Sequence, residues 1–238
     1  MSYENKILPY TAETLQRLLT KRSISLVLTD PPYGVGYEYH GWREATNWYD
    51  HWTYLGPIWD DWFRLLKPDG HIVFFQAIRY MDDGTLEKAI GPYHQIALAK
   101  WTLAGSRKCY MLDFAAIQTA SRKRPDFQRE LFLTKYGEMD DFIPHRCFKP
   151  LQGMIAIVEL LTKPGDVVLD PYCGSGTTAL ACHLTGRRYI CADMHPPYVG
   201  IALERLAWAD KGLSPYASRV KIRGEWRYFR HDGTEVEL

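Results

Sequence analysis

The segment VVLDPYCGSGTTALACHL (167–184) joins a short apolar run to a helical pattern through a turn that carries two glycines. VVLD (167–170) is apolar up to its final aspartate, as in a strand buried on both faces of a parallel sheet. Thr177–Leu184 then reads as a helix. Between them Gly174 and Gly176 let the backbone pass close to a ligand, and the helix start presents N–H groups to an anion such as a carboxylate. The next apolar run, YICAD (189–193), ends in an acid seventeen residues after Gly176, placed to accept hydrogen bonds from the two hydroxyls of a ribose. These pieces make a strand–turn–helix–strand unit suited to a nucleoside.

The same alternation extends outward along the chain. ISLVLTD (24–30), IVFFQ (72–76), QIALAKW (95–101) and ELFLTK (130–135) are further apolar runs of strand length. Helical patterns lie at Thr11–Lys21, with Leu15, Leu18 and Leu19 on one side, at Leu151–Leu161, and at Pro197–Ala209, where Ile201, Leu203, Leu206 and Trp208 follow a largely buried helix. KPDG (67–70) and KPGD (163–166) mark tight turns before two of the strands. The pattern predicts one α/β domain over residues 1–238, a doubly wound, mostly parallel Rossmann-like sheet with helices on both faces. Residues 34–62 and 102–128 exceed ordinary connections and are expected as functional insert loops. Residues 219–238 alternate in polarity and predict a small hairpin turned by Asp232-Gly233.

Composition narrows the function classes. With 46% hydrophobic residues and no uncharged apolar run near the ~18–20 needed to cross a bilayer, the chain is neither a disordered tail nor a membrane span. MSYENKILPY (1–10) lacks the basic and apolar regions of a secretory signal, which gives a cytoplasmic expectation. The five cysteines form no CxxC pair, so packed reduced thiols and no metal site are expected. The 29 basic and 28 acidic side chains conceal an uneven distribution. Seven basic residues face two acidic ones between Lys100 and Arg129, and six face one between Lys211 and His231, while residues 34–62 carry five acids and one arginine. Arg107, Lys108, Arg122, Lys123 and Arg124 are therefore candidates to meet phosphate.

Two further features specify the chemistry. The third glycine of a dinucleotide fingerprint is absent, because position 179 is Ala, so a nucleoside with an amino-acid tail, as in S-adenosylmethionine, fits better than a nicotinamide cofactor. At the end of the run 24–30 stands Asp30-Pro31-Pro32-Tyr33. Two prolines hold a rigid extended turn with outward carbonyl acceptors, beside the Asp30 carboxylate and the flat ring of Tyr33. Such a site matches a planar ring bearing an –NH2 group.

With DPPY at 30–33 and the glycine loop at 174–176, the chain resembles the β class of DNA amino-methyltransferases, in which the catalytic tetrapeptide precedes the cofactor loop. LLKPDGHIVFF (65–75), FQRELFLTK (127–135) and HRCFKPL (145–151) resemble further segments of that class, with Arg146 in place of a proline, and the likeness covers residues 1–210. ILPYTAETLQRLL (7–19) resembles its first segment, with Tyr10-Thr11 where a Gly-Asp is usual.

The resemblance implies a seven-stranded sheet, S-adenosylmethionine as cofactor and methylation of an exocyclic amine in DNA. It assigns catalysis to Asp30, Pro31, Pro32 and Tyr33. Cofactor binding falls to Tyr10, Thr11, Asp30, Lys149, Asp170, Tyr172, Cys173, Gly174, Ser175, Gly176, Thr177, Thr178, Asp193 and Met194. Asp30 favours the N6 amine of adenine; the alternatives are the N4 amine of cytosine and a catalytically silent cofactor- or DNA-binding subunit. The target base must be flipped out of the duplex, and the nine aromatics of residues 34–62 include candidates to close over it, with Trp59 and Trp62 read instead as helix packing. Only residues 136–148 fill the place where the class usually inserts a recognition region, so a short or relaxed site is expected. DNA is the expected partner, with a homodimer and, in a restriction system, an endonuclease as further possibilities.

Overall fold

The computed structural model describes residues 2–39, 42–104, 107–125, 131–133, 149–213, 218–222, 225–229 and 235–236. In chain order the first half contains β1 (Lys6–Leu8), α1 (Ala12–Leu18), β2 (Ile24–Thr29), β3 (Glu38–Tyr39), β4 (Trp42–Arg43), α2 (Trp48–Leu65), β5 (Leu66–Phe75), α3 (Ile78–Asp82), α4 (Thr85–Ile90), β6 (His94–Ala104) and β7 (Arg107–Thr119). The second contains β8 (Leu131–Leu133), α5 (Leu151–Leu161), β9 (Val167–Asp170), α6 (Thr177–Leu184), β10 (Arg188–Ala192), α7 (Pro196–Asp210), β11 (Ser218–Ile222), β12 (Glu225–Phe229) and β13 (Glu235–Val236).

The central sheet has the order β1-β10-β9-β2-β5-β7-β6-β8. Only β7 runs against its neighbours, pairing antiparallel with β5 and β6, so the sheet is mostly parallel. Eight described strands make it one wider than the seven expected. Along β2, β5 and β9 neighbouring apolar residues face two different cores, with the register shift in β2 falling between Ile24 and Leu26. Leu26, Leu28, Val73, Phe75 and Val168 face the layer of α5, α6 and α7. Ile24, Val27, Ile72, Phe74, Val167 and Leu169 face the layer of α1 and α2, where Trp59 and Trp62 are buried as expected. Two covered faces explain why these strands are continuously apolar.

Several sequence expectations are corrected. Thr102–Gln128 is not a loop over most of its length: β6 extends to Ala104 and β7 runs from Arg107 to Thr119. Its inner half, FAAIQ (114–118), forms a real strand, but small and polar residues give it too weak an apolar signal to stand out. In residues 34–62, β3 and β4 form a two-stranded ribbon and α2 begins at Trp48, capped by the Asn47 side chain on Asp50 N–H. In α1 Leu18 is exposed, because the helix stops there and Leu19 turns inward as its C-cap. In α7 Leu203 is exposed, and the buried stripe is Val199, Ala202, Arg205 and Leu206. The KPDG turn is a bulge at the start of β5, where Leu66 pairs with Ile24 and His71 already pairs with Leu26. At the C-terminus β12 pairs with β13 about the expected turn and β11 adds a third strand; Asp232 and Gly233 themselves lie outside the described residues.

Candidate active site

The sheet order sets β2 beside β9 in parallel, Leu26 against Val168 and Val27 against Leu169. Both strands therefore end together, and DPPY and the glycine loop leave adjacent carboxyl ends, the usual place for a ligand in an open α/β sheet. Thr29 Oγ1 donates to Asp170 Oδ1 at 2.7 Å, across 141 residues of sequence. Thr178 Oγ1 donates to Asp170 Oδ2 at 2.5 Å, and Tyr172 N–H to Oδ1 at 3.2 Å. Burial nonetheless pushes the Asp170 carboxyl up to about 7, against the pull of these donors.

Asp30 stands one residue beyond β2. Its Oδ1 accepts from the Tyr33 hydroxyl at 2.6 Å, and its Oδ2 from Lys149 Nζ at 2.5 Å. Lys149 Nζ also donates to the Tyr33 hydroxyl at 3.2 Å and lies 4.9 Å from the centre of the Phe75 ring. Burial, reinforced by the Asp30 charge, raises the Tyr33 phenol well above its ordinary value, so Tyr33 stays protonated.

The turn after DPPY is held by groups that the sequence did not single out. The buried Glu44 carboxylate accepts from Gly34 N–H at 2.6 Å and Tyr37 N–H at 3.0 Å. The Gly34 carbonyl accepts from Arg79 Nη2 at 2.9 Å and from the Tyr80 hydroxyl at 2.8 Å. Gly34 has φ +70°, and a Cβ there would lie 2.6 Å from His51 Cγ. His51 is itself buried, which lowers its pKa to about 4 and leaves it neutral.

On the other strand, Asp193 accepts from Gly174 N–H through Oδ2 at 2.9 Å and from His195 N–H through Oδ1 at 2.8 Å. An acid held at this point of the cavity wall is placed to meet a ribose. Arg205, fully buried on α7, donates to the Ser175 carbonyl at 2.6 Å and to Thr177 Oγ1 at 3.1 Å, fixing the loop from beneath. A charged residue inside the apolar stripe of α7 was the available signal for it. Gly176, at φ +78°, lets the loop close on α7, since a Cβ would lie 2.5 Å from that of Ala202.

One cavity of about 320 Å3 connects the two halves. Of the expected catalytic residues, Asp30 and Pro32 line it, while Pro31 and Tyr33 stand outside the lining. Thr11, Lys149, Asp170, Tyr172, Cys173, Gly174, Ser175, Thr177, Thr178, Asp193 and Met194 line it as well. Tyr10 does not, and packs instead against the core on the α2 side. Tyr39, Trp42 and Tyr54 form the aromatic wall, their rings following one another at centroid distances of 5.9 and 6.0 Å, and Tyr54 shares a 2.8 Å hydroxyl contact with Tyr172. Ala12, Glu13, Met154, Pro171, His195 and Tyr198 complete the wall and were missed. The donor set fits S-adenosylmethionine: a carboxylate for a ribose, a glycine-bearing helix start for a carboxylate, and aromatic surface for a ring.

The five basic candidates fall at opposite ends of the sheet. Phe75, the last residue of β5, is level with Ala115 and Ile96, and the β6–β7 ladder continues from Ala97↔Phe114 to Ala104↔Arg107. That hairpin carries the backbone of Arg107 and Lys108 about 25 Å beyond β5 on the Asp30 side. Arg122, Lys123 and Arg124 instead follow Thr119, which pairs with His71 near the other end. Arg122 is also engaged, with a 2.5 Å ion pair to Asp60 and its guanidinium 4.3 Å from the centre of the Phe63 ring.

Comparison with known proteins places this geometry. The chain is 24% identical over 246 residues to the DNA adenine methyltransferase YhdJ of Escherichia coli strain K12, a match covering 84% of this chain and 82% of that protein. The PvuII DNA methyltransferase, cytosine-N4-specific, shares the fold with a TM-score of 0.67 at 17% identity, over 83% of this chain and 84% of its own. M1.HpyAVI, solved as a complex with SAM, shares it with a TM-score of 0.59 at 22% identity, over 84% of this chain and 98% of its own. The DNA methylase family of N6 and N4 enzymes matches residues 24–129 and 114–204, a span running from β2 through the glycine loop into α7, and the chain belongs to that family.

Proposed function

We propose that the protein transfers a methyl group from S-adenosylmethionine to the exocyclic N6 amine of an adenine flipped out of DNA. The observation that carries this reading is one cavity lined by Asp30, the glycine loop and Asp193 together. S-adenosylmethionine supplies an electrophilic methyl on a sulfonium sulfur. The chain's residues make the amine able to accept it. The nitrogen lone pair of adenine is delocalised into the ring; the Asp30 carboxylate, which lines the cavity, accepts one of its N–H bonds, the family resemblance gives the other to the Pro31 carbonyl, and the two favour a pyramidal nitrogen. As the N–C bond forms, positive charge develops on that nitrogen beside the Asp30 carboxylate and the Tyr33 ring. The extra proton then leaves along the hydrogen bond to Asp30. Asp193 holds the ribose, and the Tyr39–Trp42 ribbon covers the cavity and limits water.

Asp30 favours adenine, and the activity named for the relative YhdJ agrees. The PvuII enzyme, with the same fold, favours cytosine N4 as the second reading. The deciding experiment incubates purified protein with labelled S-adenosylmethionine and unmethylated DNA, then digests the product to nucleosides. Label in N6-methyladenine is the expected result; label in N4-methylcytosine selects the second reading. No label, with Asp30→Ala indistinguishable from wild type, leaves a silent binding subunit.

A further inference from the structure

Lys149 is expected from resemblance to serve the cofactor, yet its buried ammonium is committed elsewhere. It is only 7% exposed, and its Nζ donates both to Asp30 Oδ2 at 2.5 Å and to the Tyr33 hydroxyl at 3.2 Å. Tyr33 in turn donates to Asp30 Oδ1 at 2.6 Å. The three side chains close a triangle in which each carboxylate oxygen of Asp30 has one partner, fixing its plane. A free aspartate rotates about two torsions; one held through both oxygens presents its remaining lone pairs in fixed directions. Lys149 directly precedes Pro150, the N-cap of α5, so the triangle also ties the catalytic turn to that helix.

We propose that Lys149 is a positioning residue for methyl transfer, holding Asp30 and Tyr33 in the geometry that receives the target amine, rather than a ligand of the cofactor's carboxylate. This rests on the methyltransferase reading above. To move to the cofactor, the ammonium would have to give up the partly buried Asp30 Oδ2, stripping the carboxylate of its charged partner, which is costly. Tyr33, with one hydroxyl proton, satisfies only one of the two oxygens.

The test compares wild type, Lys149→Gln and Lys149→Arg in two measurements. One is the single-turnover rate constant for methyl transfer at saturating S-adenosylmethionine; the other is the calorimetric affinity for S-adenosylmethionine without DNA. Expected for Lys149→Gln is a rate about 100-fold lower with cofactor affinity within about threefold of wild type. Lys149→Arg, which keeps the charge and donors, should recover at least tenfold of that loss. Cofactor affinity weakened more than tenfold, with the saturated rate constant unchanged, overturns the proposal while leaving the function intact. A wild type that transfers no methyl overturns both. A Lys149→Gln protein whose thermal midpoint falls out of line is replaced by Lys149→Met, which keeps the apolar stem and must give the same split.

Discussion

The hydroxyl of Thr29 and the carboxyl of Asp170 are bonded at 2.7 Å, and this contact joins the strand that leads into DPPY to the strand that leads into the glycine loop. It brings an acid into full burial at the junction of the two halves of the site, and the acid's ionisation is altered accordingly.

Stability should therefore carry a pH signature from Asp170. Its carboxyl titrates at about 7 in the folded protein and near ~3.9 when unfolded. Between those values the folded state holds a proton that the unfolded state has released, so this group lowers unfolding stability as pH rises from about 4 to about 7. Asp170→Asn removes the titration. Urea midpoints at pH 5 and pH 8 should fall more for wild type than for the variant; parallel changes in the two proteins contradict the assignment.

Gly34 should not tolerate a side chain. Alanine there meets a left-handed φ of +70° and a contact of 2.6 Å with His51 Cγ, in a peptide whose N–H and carbonyl are both engaged. The expected loss is about 2–4 kcal/mol, or roughly 5–10 °C in thermal midpoint. Gly84, at φ +74° with nothing within 4 Å of a Cβ, is the control. Gly84→Ala bears only the conformational cost, and equal midpoints for the two variants would show that His51 does not restrict the turn.

Removing Arg205 should loosen the cofactor half without touching DPPY. Arg205→Met leaves the Ser175 carbonyl and the Thr177 hydroxyl without their shared donor. A buried acceptor left unmade costs about 1–3 kcal/mol, so affinity for S-adenosylmethionine should fall about tenfold or more by calorimetry. Unchanged affinity would assign Arg205 to packing alone.

The two basic groups should separate in DNA binding. Arg107 and Lys108 lie at the far end of the β6–β7 hairpin on the Asp30 side, whereas Arg122 is held by Asp60 at the opposite end of the sheet. Anisotropy titrations between 50 and 200 mM salt should show the doubly substituted Arg107→Ala, Lys108→Ala protein losing about 2 in the slope of log affinity against log salt, at ~0.9 per phosphate contact. Arg122→Ala, Lys123→Ala should leave the slope within error, and the reverse pattern would move the DNA to the other face.

Local chemistry made much of this legible. The helices Leu151–Leu161 and Thr177–Leu184 begin and end where the sequence pattern predicts, since apolar spacing and the proline or glycine before each define them. Asp30, Asp170 and Asp193 were found because each terminates an apolar strand. What escaped depends on register and distant pairing. SRKRP (121–125) reads as a free basic loop, but its end of the sheet is set by Thr119 pairing with His71. Likewise the bond from Lys149 to Asp30, 119 residues away in sequence, shows only in the folded chain. Glu44 was one acid among five until its two backbone partners were visible.

The strand order also bears on synthesis. Among the described strands β1 pairs with β10 alone, and β2 pairs with β9 on the side away from β5, so these partners are missing until residues 167–192 exist. At ~5–20 residues per second, an apolar strand edge is left open for roughly 10–40 s on the ribosome. A chain truncated before Val167 would keep DPPY and the β2–β5 pairing but leave the β9-facing edge of β2 open, a template for aggregation. The sheet therefore closes only once the last of its central strands, β10, has been translated.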